Sequence, residues 1–315
     1  MKRCFLFPGQ GAQHIGMGRD LYDGHPEVRE LFAIASDRAG FDLVQLTFSG
    51  SDDEIKATDR SQVAITAVNL AARRALSLRG ITSSAAAGFS LGEYAALVDA
   101  GVIDEASALG LVTERGRIME AVSRSLDAPD GAPGMCAVLG IDADAIQAAL
   151  AGAGISDVYP ANLNSPVQTV LSGTAAGLAA AADVLKQAGA RRVVPLKVSG
   201  PFHSPLMVEA RDQFAEVLGS VAFVDPIKPV YSNVTGDLVT TGQEARRLCA
   251  EQLVLPVRWV DEQAHIARDE YDELLEVGPG EVLAGLWRAY VKTYPQITVP
   301  CLAAGTVPQM DAIAG

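Results

Sequence analysis

The stretch that most constrains this chain is Gly88-Phe89-Ser90-Leu91-Gly92, which follows the small-residue run Thr82 to Ala87 and leads directly into Glu93 to Val98. Between a strand and a helix, G-x-S-x-G is the pattern of a nucleophile elbow. The turn is so sharp that side chains at the glycine positions would collide with neighbouring backbone. It exposes the serine hydroxyl at a helix N-terminus, where unpaired N–H groups and the helix dipole can stabilise an oxyanion. Glycine and serine also mark ordinary turns, so the pentapeptide taken alone reads first as a loop. The rest of the chain has to decide between the two.

With 315 residues, 49% of them hydrophobic and 20% charged, the composition is that of a globular protein with one large domain or two smaller ones. A formal charge of -13 repels nucleic acid and anionic membrane surfaces, so neither is expected as a partner. Cys4, Cys136, Cys249 and Cys301 form no C-x-x-C pair and have no histidine at ligand spacing. They read as reduced thiols of a cytoplasmic protein, with no metal site. The apolar run after Met1-Lys2-Arg3 stops at Pro8, too short for a signal-peptide core, and no later run reaches the ~18 apolar residues of a membrane span.

Cys4 to Phe7 reads as a buried first strand, ended by Pro8-Gly9-Gln10-Gly11. A dinucleotide fingerprint fails there because the third glycine position falls on His14. The loop still offers backbone N–H groups at the carboxyl end of a strand, where α/β sheets place their sites. Helical spacing covers Pro26 to Ala35 and Gln62 to Leu78, and Ser51 to Glu54 is a capping box. In the helix from Asp104 to about Leu126, Ala108, Leu111, Val112, Ile118, Met119 and Val122 form an apolar stripe with Arg115 in its middle. A guanidinium on a core-facing surface needs an anion. Two readings stay open: an internal salt bridge, or a receptor for a substrate carboxylate.

The Pro/Gly-rich run from Asp127 to Gly134 is the clearest boundary. Beyond it the expected order is a strand from Met135 to Leu139, a helix from Asp142 to Ala151, strands at about Val158 to Leu163 and Val167 to Leu171, a helix from Thr174 to Ala188, and a strand from Arg192 to Val198. That is βαββαβ, the ferredoxin-like arrangement. Residues 127–198 therefore read as a small domain inserted into a larger α/β domain of residues 1–126 and 199–315. His203 follows, held between Pro201 and Pro205 in a rigid loop where a positioned base is plausible, although a lone loop histidine is more often structural. Later segments are a helix from Leu206 to Leu218, a strand-like Pro229 to Ser232, a helix from Gly242 into Gln252, a helix after Trp259, a strand from Glu273 to Val277, and a turn at Gly278-Pro279-Gly280 that opens a helix through Leu286. The alternation favours a parallel sheet covered on both faces.

Phe7 to Gln13, Gly88 to Glu93, Arg115-Gly116, Asn162 to Pro166, Gly200 to Ser204 and Glu276 to Gly280 occur in an order that resembles the malonyl-CoA:acyl carrier protein transacylases, from Phe5 to about Tyr290. The resemblance implies an α/β-hydrolase-like core with parallel sheet plus an inserted ferredoxin-like domain. It also implies ping-pong transfer of a malonyl group from the CoA thioester to the phosphopantetheine thiol of an acyl carrier protein, with no bound cofactor. Carried over, Ser90 is the nucleophile and His203 its base. The N–H groups of Gln10 and Leu91 form the oxyanion hole, Arg115 holds the malonyl carboxylate, and Gln252, Asn162 and Phe202 support the site. The histidine is then oriented by a backbone carbonyl near Gln252 rather than by an acid.

Phe89 stands where the family usually has histidine, and Glu281 where lysine is frequent. Phe202 resembles the malonyl-selecting form of its motif. A serine acyl hydrolase that clears carrier proteins is the alternative, and a docking scaffold a lesser one; Arg115 argues against the former, the intact Ser90 and His203 against the latter. Lys186, Arg191, Arg192 and Lys197 are either a patch for an acidic carrier protein or a solvated face. A free-standing monomeric enzyme of fatty-acid or polyketide synthesis is expected.

Overall fold

Arg3–Phe7 (β1) is the inner strand onto which the rest of the first sheet is built, as its apolar, two-sided burial requires. The computed structural model describes residues 1–129 and 131–314. Asp130 of the expected linker and Gly315 of the expected large domain lie outside the described residues. Ala85–Gly88 (β2) and Glu273–Glu276 pair with β1 on either side, and Cys301–Ala303 pairs with the latter, all in parallel. Parallel neighbours need long crossovers, which the intervening helices supply.

A second, antiparallel sheet is formed by Gly134–Leu139 (β3), Val158–Ser165 (β4), Gln168–Gly173 (β5) and Arg192–Pro195 (β6), in the order β4-β5-β3-β6. With helices Ala143–Gly152 and Ala175–Gln187 between them, these strands have the ferredoxin-like βαββαβ order. With β7 as Glu273–Glu276 and β8 as Cys301–Ala303, the first sheet runs β2-β1-β7-β8. β4 is tied to the segment before helix Trp259–Arg268, where Leu163 N–H donates to the Val257 carbonyl at 2.8 Å and Val257 N–H to the Ala161 carbonyl at 2.8 Å.

Capping fixes several helix starts. The Ser51 box forms in full, and Asp104 accepts from Ser107 N–H at 2.7 Å to open helix Glu105–Ser125. That helix lies against Thr58–Leu78, which begins four residues before the Gln62 expected from periodicity. Four further expectations need correction. The strand at Arg192 ends at Pro195, not Val198, and Pro229 to Ser232 makes only single bridges, Val230 with Ala86 and Tyr231 with Leu238. The helix from Leu206 starts as a 3-10 turn at Pro205 and becomes α-helical at Val208. The helix after Gly280 runs on to Thr293. Helices Arg19–Gly24, Leu43–Ser49 and Val307–Ala314 and strand β8 carry too short a pattern to be read from periodicity.

Candidate active site

The elbow is built at the carboxyl end of β2. Ser90 has φ of 50°, a left-handed conformation unusual for a residue with a side chain, and residues 90–92 form a 3-10 turn into helix Glu93–Asp99. A Cβ on Gly88 would lie 2.1 Å from the Gly92 carbonyl carbon, and one on Gly92 would lie 1.9 Å from the Phe7 carbonyl oxygen. Only glycine lets these segments touch. Asn233 clamps the turn from outside. Its Oδ1 accepts from Ser90 N–H at 2.6 Å, and its Nδ2 donates to the Gly88 carbonyl at 2.6 Å.

His203 arrives from the loop after β6, also left-handed at φ 56° and 5% exposed. Ser204 Oγ donates to the Pro201 carbonyl and Ser172 Oγ to the Phe202 carbonyl, so the loop is pinned by hydroxyls as well as by its prolines. His203 Nε2 lies 2.7 Å from Ser90 Oγ, and Nδ1 lies 2.7 Å from the main-chain carbonyl of Gln252. A carbonyl can only accept, so Nδ1 carries the proton and Nε2 is left as an acceptor toward the serine. Burial and then the Arg115 charge push the His203 pKa down to about 4, which keeps the ring unprotonated near pH 7.

Arg115 is 1% exposed. It has no carboxylate within ion-pair distance among the described residues. Its Nη1 donates to Gln62 Oε1 at 2.8 Å and its Nη2 to Gln252 Oε1 at 3.0 Å, while Nε has no partner. The internal salt bridge considered from sequence is therefore not what this arginine makes. A buried cation is held here by neutral amides, and burial lowers its pKa. Gln252 reaches from Arg115 to Ser90, since its Nε2 also donates to the Ser90 carbonyl at 3.1 Å.

Loop Pro8–Gly11 is pressed against the elbow. A Cβ on Gly9 would lie 2.2 Å from the Phe89 carbonyl oxygen and 3.5 Å from the Leu91 nitrogen, and Asn69 Nδ2 donates to the Pro8 carbonyl at 2.9 Å. The Glu276 to Gly280 motif braces the same loop. Gly278, at φ 150°, abuts Asn69 and Pro8, and the buried Glu276 carboxylate accepts from Leu283 and Ala284 N–H at the start of helix Val282–Thr293.

A cleft of about 350 Å³ opens between the two sheets, lined among others by Gln10, Ser90, Asn162, Asn164, Phe202 and His203. Arg115, Gln252 and Leu91 lie behind its wall. Phe89 also faces the cleft, with its ring edge-to-face on Trp259 at 5.4 Å. Of the four cations singled out from sequence, Lys197 borders the cleft, Arg191 and Arg192 are exposed, and Lys186 pairs with Asp183 at 3.3 Å.

An acyl transferase domain model matches residues 4–311. Over 294 residues the chain is 40% identical to the malonyl CoA-acyl carrier protein transacylase of Bacillus subtilis, covering 90% of this chain and 89% of the relative. It is 41% identical to the same-named protein of Escherichia coli K12 over 293 residues, covering 92% and 93%. The chain belongs to the malonyl-CoA:acyl carrier protein transacylase family. Solved members of the family superpose closely. A Vibrio cholerae acyl carrier protein S-malonyltransferase gives a TM-score of 0.91 at 37% identity, covering 99% and 100% of the two chains. A malonyl-transacylase solved in complex with a type II PKS acyl-carrier protein gives 0.91 at 37%, covering 99% and 98%. Transacylases of this family have an α/β-hydrolase-like core with a ferredoxin-like subdomain, and the two sheets described above have that arrangement.

Three residues that meet Arg115, Ser90 and Gln252 were not singled out in the sequence: Gln62, Asn233 and Glu93. Gln62 carried the same signal as Arg115, a polar side chain on the apolar face of a helix, here beside Val63 and Ile65. Glu93 closes the Gly88 to Glu93 motif but nothing in it named its partners, and Asn233 carried no signal, because both meet backbone or side chains brought close only by folding.

Proposed function

We propose that this chain transfers the malonyl group of malonyl-CoA to the phosphopantetheine thiol of an acyl carrier protein, through a malonyl ester on Ser90. The observation that carries the reading is Arg115: a buried guanidinium, two hydrogen bonds from the nucleophile, with only amide oxygens as partners. A hydrolase of neutral acyl chains has no use for such a group, whereas a malonyl carboxylate completes it. The names and the complex found among the relatives agree with this substrate and partner.

His203 Nε2 takes the proton of Ser90 Oγ as the oxygen attacks the thioester carbonyl carbon. The N–H groups of Leu91 and Gln10 hold the resulting oxyanion. Collapse breaks the C–S bond, and the CoA sulfur leaves with the proton returned by His203. In the second half the carrier's thiol gives its proton to His203, attacks the same carbonyl, and Ser90 leaves as the hydroxyl. The Gln252 carbonyl replaces the acid of a Ser-His-Asp triad by fixing the tautomer without adding a charge. Arg115 holds the acyl group in one orientation, which favours the thiol over water. Phe202 and Asn162 shape the wall of the cleft, and residues 127–198 act as the inserted domain that closes it. No resident cofactor has a part in this scheme.

Intact-mass analysis after brief incubation with malonyl-CoA or acetyl-CoA tests it. A malonyl adduct on Ser90 that persists until a holo carrier protein is added is the expected result. Rapid loss of the adduct to water, or equal loading by acetyl-CoA, would establish the hydrolase instead.

A further inference from the structure

We propose that Glu93 is a positioning residue that sets the side-chain amide of Gln252 and so gives Arg115 its acceptor. This rests on the transacylase reading of the site.

Gln252 is used three times. Its main-chain carbonyl accepts from His203, its Oε1 accepts from Arg115, and its Nε2 donates to the Ser90 carbonyl. The side chain does the last two only in one of its two amide orientations. Turned by 180°, it would set an N–H pair against the guanidinium, donor against donor, and an oxygen against the Ser90 carbonyl, acceptor against acceptor. Among the acceptors that hold Nε2, Glu93 is the nearest and the only carboxyl. Its Oε2 lies 2.5 Å from Gln252 Nε2 and also accepts from Asn233 N–H at 3.3 Å. Ionised, above its pKa of about 7, this carboxylate offers no donor to a flipped amide, so the selection is a property of the ionised form. It therefore selects the orientation that turns Oε1 toward Arg115.

Glu93 is 2% exposed and sits three residues after the nucleophile, in the first turn of the elbow helix. A carboxylate in the first turn of a helix suits the dipole, but this one is fully enclosed, where a solvated surface would serve that purpose without the cost of burial. Burial raises its pKa to about 7 while the hydrogen bond from Gln252 opposes the rise. Around it stand Gln252, Asn233, Ser232, Arg115, and the second buried acid, Glu262, which accepts from Asn233 Nδ2 at 2.8 Å. Asn233 thus joins the elbow to both acids, and its Oδ1 also accepts from Gln252 Nε2 at 3.3 Å; of the two acids only Glu93 touches Gln252, and at the shorter distance.

The test compares the parent with Glu93→Gln and Glu93→Asp, measuring malonyl against acetyl loading from the CoA thioesters together with inactivation by a small neutral serine-directed phosphonate. An amide at position 93 accepts either orientation of Gln252, and aspartate withdraws the carboxylate by one carbon–carbon bond, ~1.5 Å. The expected result is a fall of about tenfold or more in the malonyl-to-acetyl ratio for Glu93→Gln, a smaller fall for Glu93→Asp, and phosphonate inactivation within about threefold of the parent, as one lost charge-assisted hydrogen bond implies. If Glu93→Gln does not fold, the aspartate variant decides alone. Parent-like discrimination in the folded variants, or equal losses of loading and phosphonate reactivity, would overturn the proposal. A parent that itself fails to prefer malonyl overturns the functional reading instead.

Discussion

His203 Nδ1 lies 2.7 Å from the main-chain oxygen of Gln252, so this imidazole is oriented by an uncharged group that no side-chain substitution removes. Gln252→Ala is therefore expected to keep the serine reactive and to lose substrate choice. Phosphonate inactivation should stay within about tenfold of the parent, while malonyl loading falls toward acetyl loading. The buried groups of Arg115 and Glu93 lose a partner, at about 1–3 kcal/mol each, and the Ser90 carbonyl and Asn233 Oδ1 lose a longer contact. Urea unfolding and intact-mass loading read the two effects separately, and parallel losses of loading and phosphonate reactivity would refute the division of roles.

The pH dependence follows from the neutral imidazole. With the His203 pKa pushed down to about 4, inactivation by the small neutral serine-directed phosphonate, which does not call on the Glu93–Gln252–Arg115 chain, should be flat between about pH 6 and 8 and fall only toward the acid side. Arg115 is the second cause of that depression, so Arg115→Met should move the acid limb to higher pH. A parent profile that bends near 6.5 would mean that the imidazole is solvated in the working enzyme.

Arg115→Met also separates function from stability. Removing a buried, uncompensated cation recovers desolvation cost, whereas Gln62 and Gln252 each lose a hydrogen bond. These effects oppose, and the variant should unfold within about 1 kcal/mol of the parent. Malonyl loading should fall by about 100-fold or more, the loss expected for one charged contact at the reacting group. A stability loss above about 3 kcal/mol would show that the arginine is structural.

Gly92→Ala should prevent the elbow from forming, because its Cβ would enter the Phe7 carbonyl. A loss of more than about 4 kcal/mol is expected, against a gain of about 0.5–1 kcal/mol for Gly110→Ala. Gly110 lies in helix Glu105–Ser125 with open space where its Cβ would be. Urea midpoints of the two variants moving together would refute the packing argument.

Glu93 is also linked to stability, with a definite sign. Its folded pKa, about 7, lies above the value of about 4.5 in the unfolded chain. The folded state thus binds the extra proton, and the contribution is full below 4.5 and lost as pH rises through 7. Relative to Glu93→Gln, the parent should lose about 3 kcal/mol between these limits. A pH-independent difference between the two urea midpoints would contradict the buried, proton-binding carboxyl.

The sequence by itself determined the elements whose geometry depends on near neighbours. The G-x-S-x-G spacing forced the strand-turn-helix at Ser90, Ser51 and Asp104 announced their helices, and Arg115 was legible as a misfit within an apolar stripe. The Pro/Gly run after Asp127 and the βαββαβ alternation also stood in the chain as written. Short segments were not legible: β8 has three residues, and Pro229 to Ser232 gains its extended form from one bridge to β2. Only the tertiary structure decided which polar groups meet. Asn233 reaches the Ser90 amide across 143 residues and Gln252 reaches Arg115 across 137. Neither pairing leaves a trace in local periodicity, because a hydrogen-bond partner in a packed interior is chosen by which surfaces are brought together and by the cost of leaving a buried donor or acceptor unpaired.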